Sequence, residues 1–204
     1  LFRDSNGAPA ALEDRCCHRP LPLSLGKRTG DTIQCGYHGL EFDKTGTCVS
    51  VPGQKRVPPN ASVRPYPIVE RYRYIWIWPG DPDKADPNTI PDYHWNDDPN
   101  WISNSGYFHV QGNHQLLVDN LLDLSHVQFV HATTLGADGV TDAPLHTYRD
   151  ADQVRIERWI MDKKPPAMCA TAGNFLGNVD RWQLIRWTAP THVVIDAGCA
   201  NAGT

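Results

Sequence analysis

Two short motifs, each joining a cysteine to a histidine, constrain this 204-residue chain more than any other feature. The first is Cys-Cys-His, which begins at Cys16 and ends at His18. The second is Cys-Gly-Tyr-His, from Cys35 to His38, and sixteen residues separate it from His18. Each motif offers one thiolate and one imidazole, which are ligands for soft or borderline metal ions. We therefore expect a fold in which two loops meet around a metal centre.

The alternation of ligand types separates two kinds of metal centre. Zinc sites of the Cys₂His₂ kind usually group Cys with Cys and His with His. In a [2Fe-2S] cluster of the Rieske type, two thiolates bind one iron and two imidazoles bind the other. The alternation favours this cluster, a one-electron relay, and leaves zinc as the alternative. We expect the backbone to pass close to the cluster at three glycines, Gly36, Gly39 and Gly53.

A second set of metal-binding side chains follows in the segment NLLDLSHVQFVH, where His126 and His131 stand five residues apart. Two histidines and one carboxylate form the facial triad of non-heme Fe(II) oxygenases. Five residues turn an ideal helix by about 500°, which leaves the two imidazoles about 140° apart. We therefore expect the helix predicted over 113–131 to end or bulge between them. From the residues alone, Asp119 and Asp123 are candidates for the carboxylate.

The two sets of residues resemble those of the Rieske non-heme iron oxygenases, most closely the vanillate and dicamba O-demethylase type. The resemblance to the family rests on C-x-H followed by CGYHGLEFD, and on the spacing Asn-x-x-Asp-x-x-His-x₄-His. The resemblance to the vanillate and dicamba type rests on the stretches CGYHGLE, VPGQ, ERYRYIWIWPGD, LLVDNLLDLSH and VDRWQLIRW. One departure is Cys17, which stands where the family usually has proline. The resemblance implies a cluster and a mononuclear Fe(II), with the following ligands: Cys16, His18, Cys35 and His38 for the cluster, and His126 and His131 for the iron.

The resemblance also implies roles for other residues near the iron. Asp123 would bridge His126 to His38 of the partner subunit in a homotrimer and serve as an electron gate. Asn120 would lie close to the iron without binding it. The family's carboxylate ligand comes from a later helix, so we expect this chain to be a fragment that lacks it. Such a fragment should hold the cluster, bind the iron poorly and turn over little.

The activity that the resemblance implies is oxidative demethylation of a methoxylated aromatic acid such as vanillate. Electrons from NADH would pass through a flavin and ferredoxin-type reductase to the cluster, and O₂ would be consumed at the iron. The products would be a phenol and formaldehyde. Three alternatives remain: a ring-hydroxylating dioxygenase, which makes a cis-diol, a Rieske electron-transfer protein, and a zinc-stabilised structural protein.

The distribution of apolar and turn residues along the chain predicts an α+β fold with two domains. Short apolar stretches separated by turn signals predict a small all-β Rieske domain over 1–80. Its clearest predicted strand is 72–78, which is rich in aromatic and β-branched residues. The segment 81–100 is rich in Pro and Asp, which indicates a linker between the two domains. Residues 101–204 should form the N-terminal part of a catalytic domain, incomplete here, of antiparallel sheet and helices. Its predicted strands are 107–111, 153–161, 181–188 and 192–197. The predicted helix over 113–131 has an apolar face formed by Leu117, Leu121, Leu124 and Val127.

Charge and hydropathy exclude two classes of partner. The formal net charge of −4 and the lack of a Lys/Arg cluster argue against nucleic-acid binding. No apolar run approaches the length of a membrane span. The N-terminal residues have no basic start followed by an apolar stretch, so we expect a cytoplasmic protein with no membrane anchor.

Overall fold

The computed structural model describes all residues, 1–204, and divides into two compact units, Leu1–Ser105 and Gly106–Thr204. The predicted linker, 81–100, lies inside the first unit and consists of short 3₁₀ turns joined by irregular chain. No helix in the chain is long and apolar enough to cross a membrane.

The first unit is built from short antiparallel strands, as its many turn residues predict. β3 to β6 form a four-stranded sheet in sequential order, and β1–β2 and β7–β8 form two-stranded ribbons. A 3₁₀ turn, Leu23–Leu25, precedes β3. The strands are β1 Phe2–Arg3, β2 Pro9–Ala10, β3 Lys27–Thr29, β4 Thr32–Gln34, β5 Glu41–Phe42, β6 Cys48–Ser50, β7 Ile68–Arg71 and β8 Tyr74–Ile77.

The core of the first unit contains both cysteines of the two predicted ligand motifs. Phe42 is fully buried at its centre, and Cys16 and Cys35 belong to the same cluster of buried side chains. The other members are Leu23, Leu40, Cys48 and Val63. Burial of these apolar side chains stabilises the unit and at the same time fixes where the two thiols lie.

The second unit begins with two helices separated by a 3₁₀ turn. Helix α1 spans His114–Leu122, the turn Leu124–His126, and helix α2 Val127–Val130. The break falls at Asp123, whose carboxylate accepts a hydrogen bond from the backbone N–H of Ser125 and so caps the turn. The single helix predicted over 113–131 is therefore wrong, because it is broken before His126. The expected helix end between His126 and His131 is present, since α2 stops at Val130.

Four long antiparallel strands follow in the order β12-β11-β10-β9. Three of them match predicted strands, and the fold class, a small β domain followed by an antiparallel sheet with few helices, is confirmed. The sequence did not predict β9 or a short helix, α3. The elements are β9 Leu145–Asp150, β10 Gln153–Lys163, α3 Ala167–Gly173, β11 Val179–Thr188 and β12 His192–Asn201.

Three local predictions were wrong. Residues 107–111 form no strand, because no other strand of the chain pairs with them. The strand predicted over 72–78 begins only at Tyr74, because Tyr72 and Arg73 adopt left-handed φ values of 58° and 61° in the hairpin turn. On α1, Leu117 and Leu121 are 43% and 37% exposed, and the buried residue is Val118. Apolar residues surround most of this helix, so its periodicity did not identify the buried side.

Candidate metal centres

The first centre is formed by two loops with the same hydrogen-bonded closure. The N–H of Cys16 donates to the carbonyl of Leu21 at 2.9 Å, and the N–H of Cys35 donates to the carbonyl of Leu40 at 2.8 Å. Each loop therefore begins at its cysteine and closes five residues later. This repeated closure gives the two cysteines equivalent places, at the start of each loop.

The loops bring their ligands together in pairs. Cys16 and Cys35 are 2% and 3% exposed and both point into the core. His18 and His38 are exposed, and their ring centroids lie 4.6 Å apart with the rings inclined at 63°. Two thiols inside and two imidazoles outside match a binuclear cluster in which each iron takes two like ligands.

The electrostatics of the thiols agree with this arrangement. Burial raises the pKa of the Cys16 thiol, and the neighbouring Cys35 thiol raises it further. A thiol in such a place ionises only when a cation compensates the charge, and a bound iron does this. No group of three or more His, Cys, Asp or Glu side chains in the chain is placed to hold a single ion.

Two of the three predicted glycines allow close packing beside these loops. A Cβ on Gly39, which has φ of +74°, would lie 2.9 Å from Cγ of Pro52. A Cβ on Gly36 would lie 3.0 Å from the carbonyl oxygen of Leu25. Gly53 has φ of +75° and open space around it, so there only the backbone conformation favours glycine.

The second centre is the pair His126 and His131. Their ring centroids lie 5.6 Å apart with the rings inclined at 64°. Nδ1 of His126 lies 2.6 Å from the carbonyl oxygen of Asp123, so Nδ1–H donates and Nε2 is left as the metal-binding atom. The pair therefore fits an iron as two of its ligands.

The candidate carboxylates take other positions. Asp119 accepts a hydrogen bond from Nε2 of Gln115 at 2.8 Å, and Asp123 caps the turn before His126. Neither joins the two imidazoles to make a three-ligand group. Asn120 is exposed on α1. Hydrogen bonds from Ser125 lower the pKa of Asp123, with smaller effects from the charges of His126 and Arg158.

Sequence reasoning missed Arg158, which lies behind this turn. It occupies an inward position of β10 and is only 4% exposed. Its Nη2 lies 3.4 Å from Oγ of Ser125, while Nε and Nη1 have no hydrogen-bond partner. The sequence does contain a sign of this position, because Arg158 alternates with Val154, Ile156 and Ile160 along the strand. This alternation predicts that the arginine lies on the buried face of the sheet.

Comparisons with known proteins agree with the two units. The model of the Rieske [2Fe-2S] domain matches residues 1–67, and that of the vanillate O-demethylase oxygenase C-terminal domain matches residues 110–204. A toluene-4-sulfonate monooxygenase system iron-sulfur subunit from Comamonas testosteroni is 44% identical over the whole chain, which covers 60% of that protein. A vanillate O-demethylase oxygenase subunit from a Pseudomonas species is 40% identical over the whole chain, which covers 58% of it.

A solved structure of a related monooxygenase is similar to this chain over its whole length. Dicamba monooxygenase bound to 3,6-dichlorosalicylic acid superposes with a TM-score of 0.94 at 39% identity, over the whole chain and 61% of that protein. The chain thus spans about three fifths of the length of these relatives.

Proposed function

Because this chain belongs to the Rieske non-heme iron oxygenases of the vanillate and dicamba O-demethylase type, we propose that it is the oxygenase component of a two-component aromatic monooxygenase. The observation that carries the proposal is the presence, on one chain, of a paired Cys/His site in a Rieske domain and of a two-histidine site. A Rieske electron-transfer protein needs only the first.

The proposed roles follow from where the side chains lie. Cys16 and Cys35 would hold the inner iron of the cluster, and His18 and His38 the outer one. His126 and His131 would hold the mononuclear iron. When bound, the cluster supplies electrons one at a time and the iron activates O₂.

Exposed imidazoles are the natural place for electrons to enter and leave the cluster, because the cysteines are buried. Asp123 is exposed and has a lowered pKa, so it is ionised at neutral pH. It can therefore accept a hydrogen bond from a protonated imidazole. The carbonyl oxygen of Asp123 already accepts Nδ1–H of His126, and its carboxylate can accept from the partner subunit's His38, so the residue as a whole supports the proposed bridge in a homotrimer. Asn120 lies one helical turn earlier and would border the iron site.

The proposed reaction is hydroxylation of a methyl group on an aromatic acid. For an aryl methyl ether such as vanillate, hydroxylation gives a hemiacetal that collapses to a phenol and formaldehyde. A second candidate is favoured by the 44% identity to the toluene-4-sulfonate monooxygenase subunit: hydroxylation of a methyl group attached directly to the ring. That reaction gives a hydroxymethyl arene and no formaldehyde. NADH would supply the electrons through a flavin and ferredoxin-type reductase.

Product analysis tests the proposal. Because a chain without the third iron ligand should turn over little, the test uses the purified full-length protein that contains this sequence. It is supplied with NADH, a ferredoxin-type reductase and O₂ and given vanillate, dicamba or toluene-4-sulfonate. Formaldehyde supports O-demethylation, a hydroxymethyl product supports ring-methyl hydroxylation, and a cis-dihydrodiol would refute both. His126→Ala and His131→Ala should abolish product formation, while His146→Ala, an exposed histidine of β9, is the matched control.

A further inference from the structure

The thiols of Cys169 and Cys199 lie together outside both metal centres. Cys169 is on α3 and Cys199 on β12, and their Sγ atoms are 2.7 Å apart. Both side chains are half-buried. A disulfide has an S–S distance of about 2.05 Å, so a movement of less than about 1 Å would join them.

A buried cation lies beside the two thiols. Arg181 stands directly opposite Cys199 in the β11–β12 pairing and is 6% exposed. Its Nη1 atom is buried without a hydrogen-bond partner. Burial lowers the pKa of the guanidinium, and the two neighbouring cysteines act in the opposite direction. A cation next to a cysteine pair stabilises a thiolate, which is the form that reacts with oxidants.

We propose that Cys169 and Cys199 are a redox modification site, which a peroxide converts to a reversible intramolecular disulfide. One S–S bond forms while two S–H bonds and the O–O bond break. The two sulfurs together lose two electrons, hydrogen peroxide gains them, and two molecules of water are released. A dithiol reductant reverses the change by thiol–disulfide exchange.

The two cysteines have different parts in this reaction. Burial, together with the adjacent Cys169 thiol, raises the pKa of Cys199 to about 12, so Cys199 stays protonated at neutral pH. We therefore assign the first oxidation, to a sulfenic acid, to Cys169. Cys199 then attacks that sulfur, loses its proton and displaces water.

The disulfide would restrain the segment that follows His131. The N–H of Met168, next to Cys169 on α3, donates to the carbonyl of Thr134 at 3.2 Å. The carbonyl of His131 in turn accepts hydrogen bonds from the N–H groups of Thr134, Leu135 and Gly136. Fixing α3 to β12 would therefore reduce the motion of the turn that begins at His131. The disulfide itself does not depend on the proposed oxygenase activity.

Peptide mapping tests the proposal directly. The protein is treated with hydrogen peroxide in the presence of a metal chelator, and free thiols are then alkylated under denaturing conditions. Trypsin cleaves after Arg181 and Arg186, which places the two cysteines on different peptides. We expect a cross-linked pair of peptides, 2 Da lighter than their sum, that disappears on treatment with dithiothreitol.

Four variants provide the controls. Cys169→Ser and Cys199→Ser must both lack the cross-link. Arg181→Gln should slow its formation severalfold, because a positive charge beside the cysteine pair favours the thiolate, whereas Arg181→Lys should retain most of the rate. An equal rate in Arg181→Gln would refute the role of the cation. Full alkylation of both cysteines after peroxide treatment, or their oxidation to sulfinic acids without a cross-link, would overturn the proposal.

Discussion

Asp123 has two separable roles, as a cap of the turn before His126 and as a charge, and two substitutions distinguish them. Its Oδ1 accepts the N–H of Ser125 at 2.9 Å. Losing such a cap costs about 1 kcal/mol, whereas asparagine caps about as well as aspartate, so this replacement costs at most a few tenths. The side chain is exposed, so solvent screening leaves little stabilisation from its charge. We expect Asp123→Ala to lose about 1 kcal/mol and Asp123→Asn much less.

Urea unfolding measures this difference. With an m-value of about 2 kcal/mol/M, the midpoint should fall by about 0.5 M in Asp123→Ala and by about 0.1 M in Asp123→Asn. Turnover should fall by a similar large factor in both, because both lack the charge that the proposed electron transfer uses. If Asp123→Asn keeps wild-type turnover, or loses as much stability as Asp123→Ala, the division into cap and charge is wrong.

Three further predictions concern other parts of the chain. Phe42→Ala should lower the free energy of unfolding by about 3–5 kcal/mol, because this fully buried ring packs in the core that holds the two cysteines. The variant should also lose the [2Fe-2S] cluster, which a lower iron content after gel filtration would show. The pKa of Asp4 is lowered chiefly by its hydrogen bond to Lys44, so its stabilisation is present at neutral pH and lost as the pH falls through the lowered pKa. Asp4→Asn should therefore reduce the loss of the urea midpoint in acid, and an unchanged acid limb would contradict this. Arg158→Met should be neutral or should stabilise the protein by up to about 1–4 kcal/mol, because two nitrogens of the buried guanidinium have no hydrogen-bond partner. A clear loss of stability in urea would contradict this, since it would show that the guanidinium makes a stabilising contact.

The local parts of the fold could be predicted from the sequence because their signals are local. The two ligand loops follow from the spacing of Cys16, His18, Cys35 and His38, and the strands β10 to β12 follow from their apolar alternation. The end of the helix between His126 and His131 follows from helical geometry, since one straight helix cannot bring both imidazoles to one ion.

The parts that could not be predicted depend on pairing and burial between distant residues. Every side chain of β9 is exposed, and this strand exists because it pairs with β10. Helix α3 is short and follows Pro166, without apolar periodicity. The contact of Cys169 with Cys199 and the position of Arg158 behind Ser125 join residues about 30 positions apart, a separation that no sequence pattern reports.

The two ligand loops of the first unit are proposed to hold a [2Fe-2S] cluster bound by two cysteines and two histidines. The most direct test of this proposal is an EPR spectrum of the anaerobically purified protein after dithionite reduction, together with analysis of iron, sulfide and zinc. We predict a red-brown protein whose reduced cluster shows hyperfine coupling to two imidazole nitrogens, and loss of that coupling to one of them in His38→Cys. A colourless protein that contains zinc and no sulfide would contradict the account.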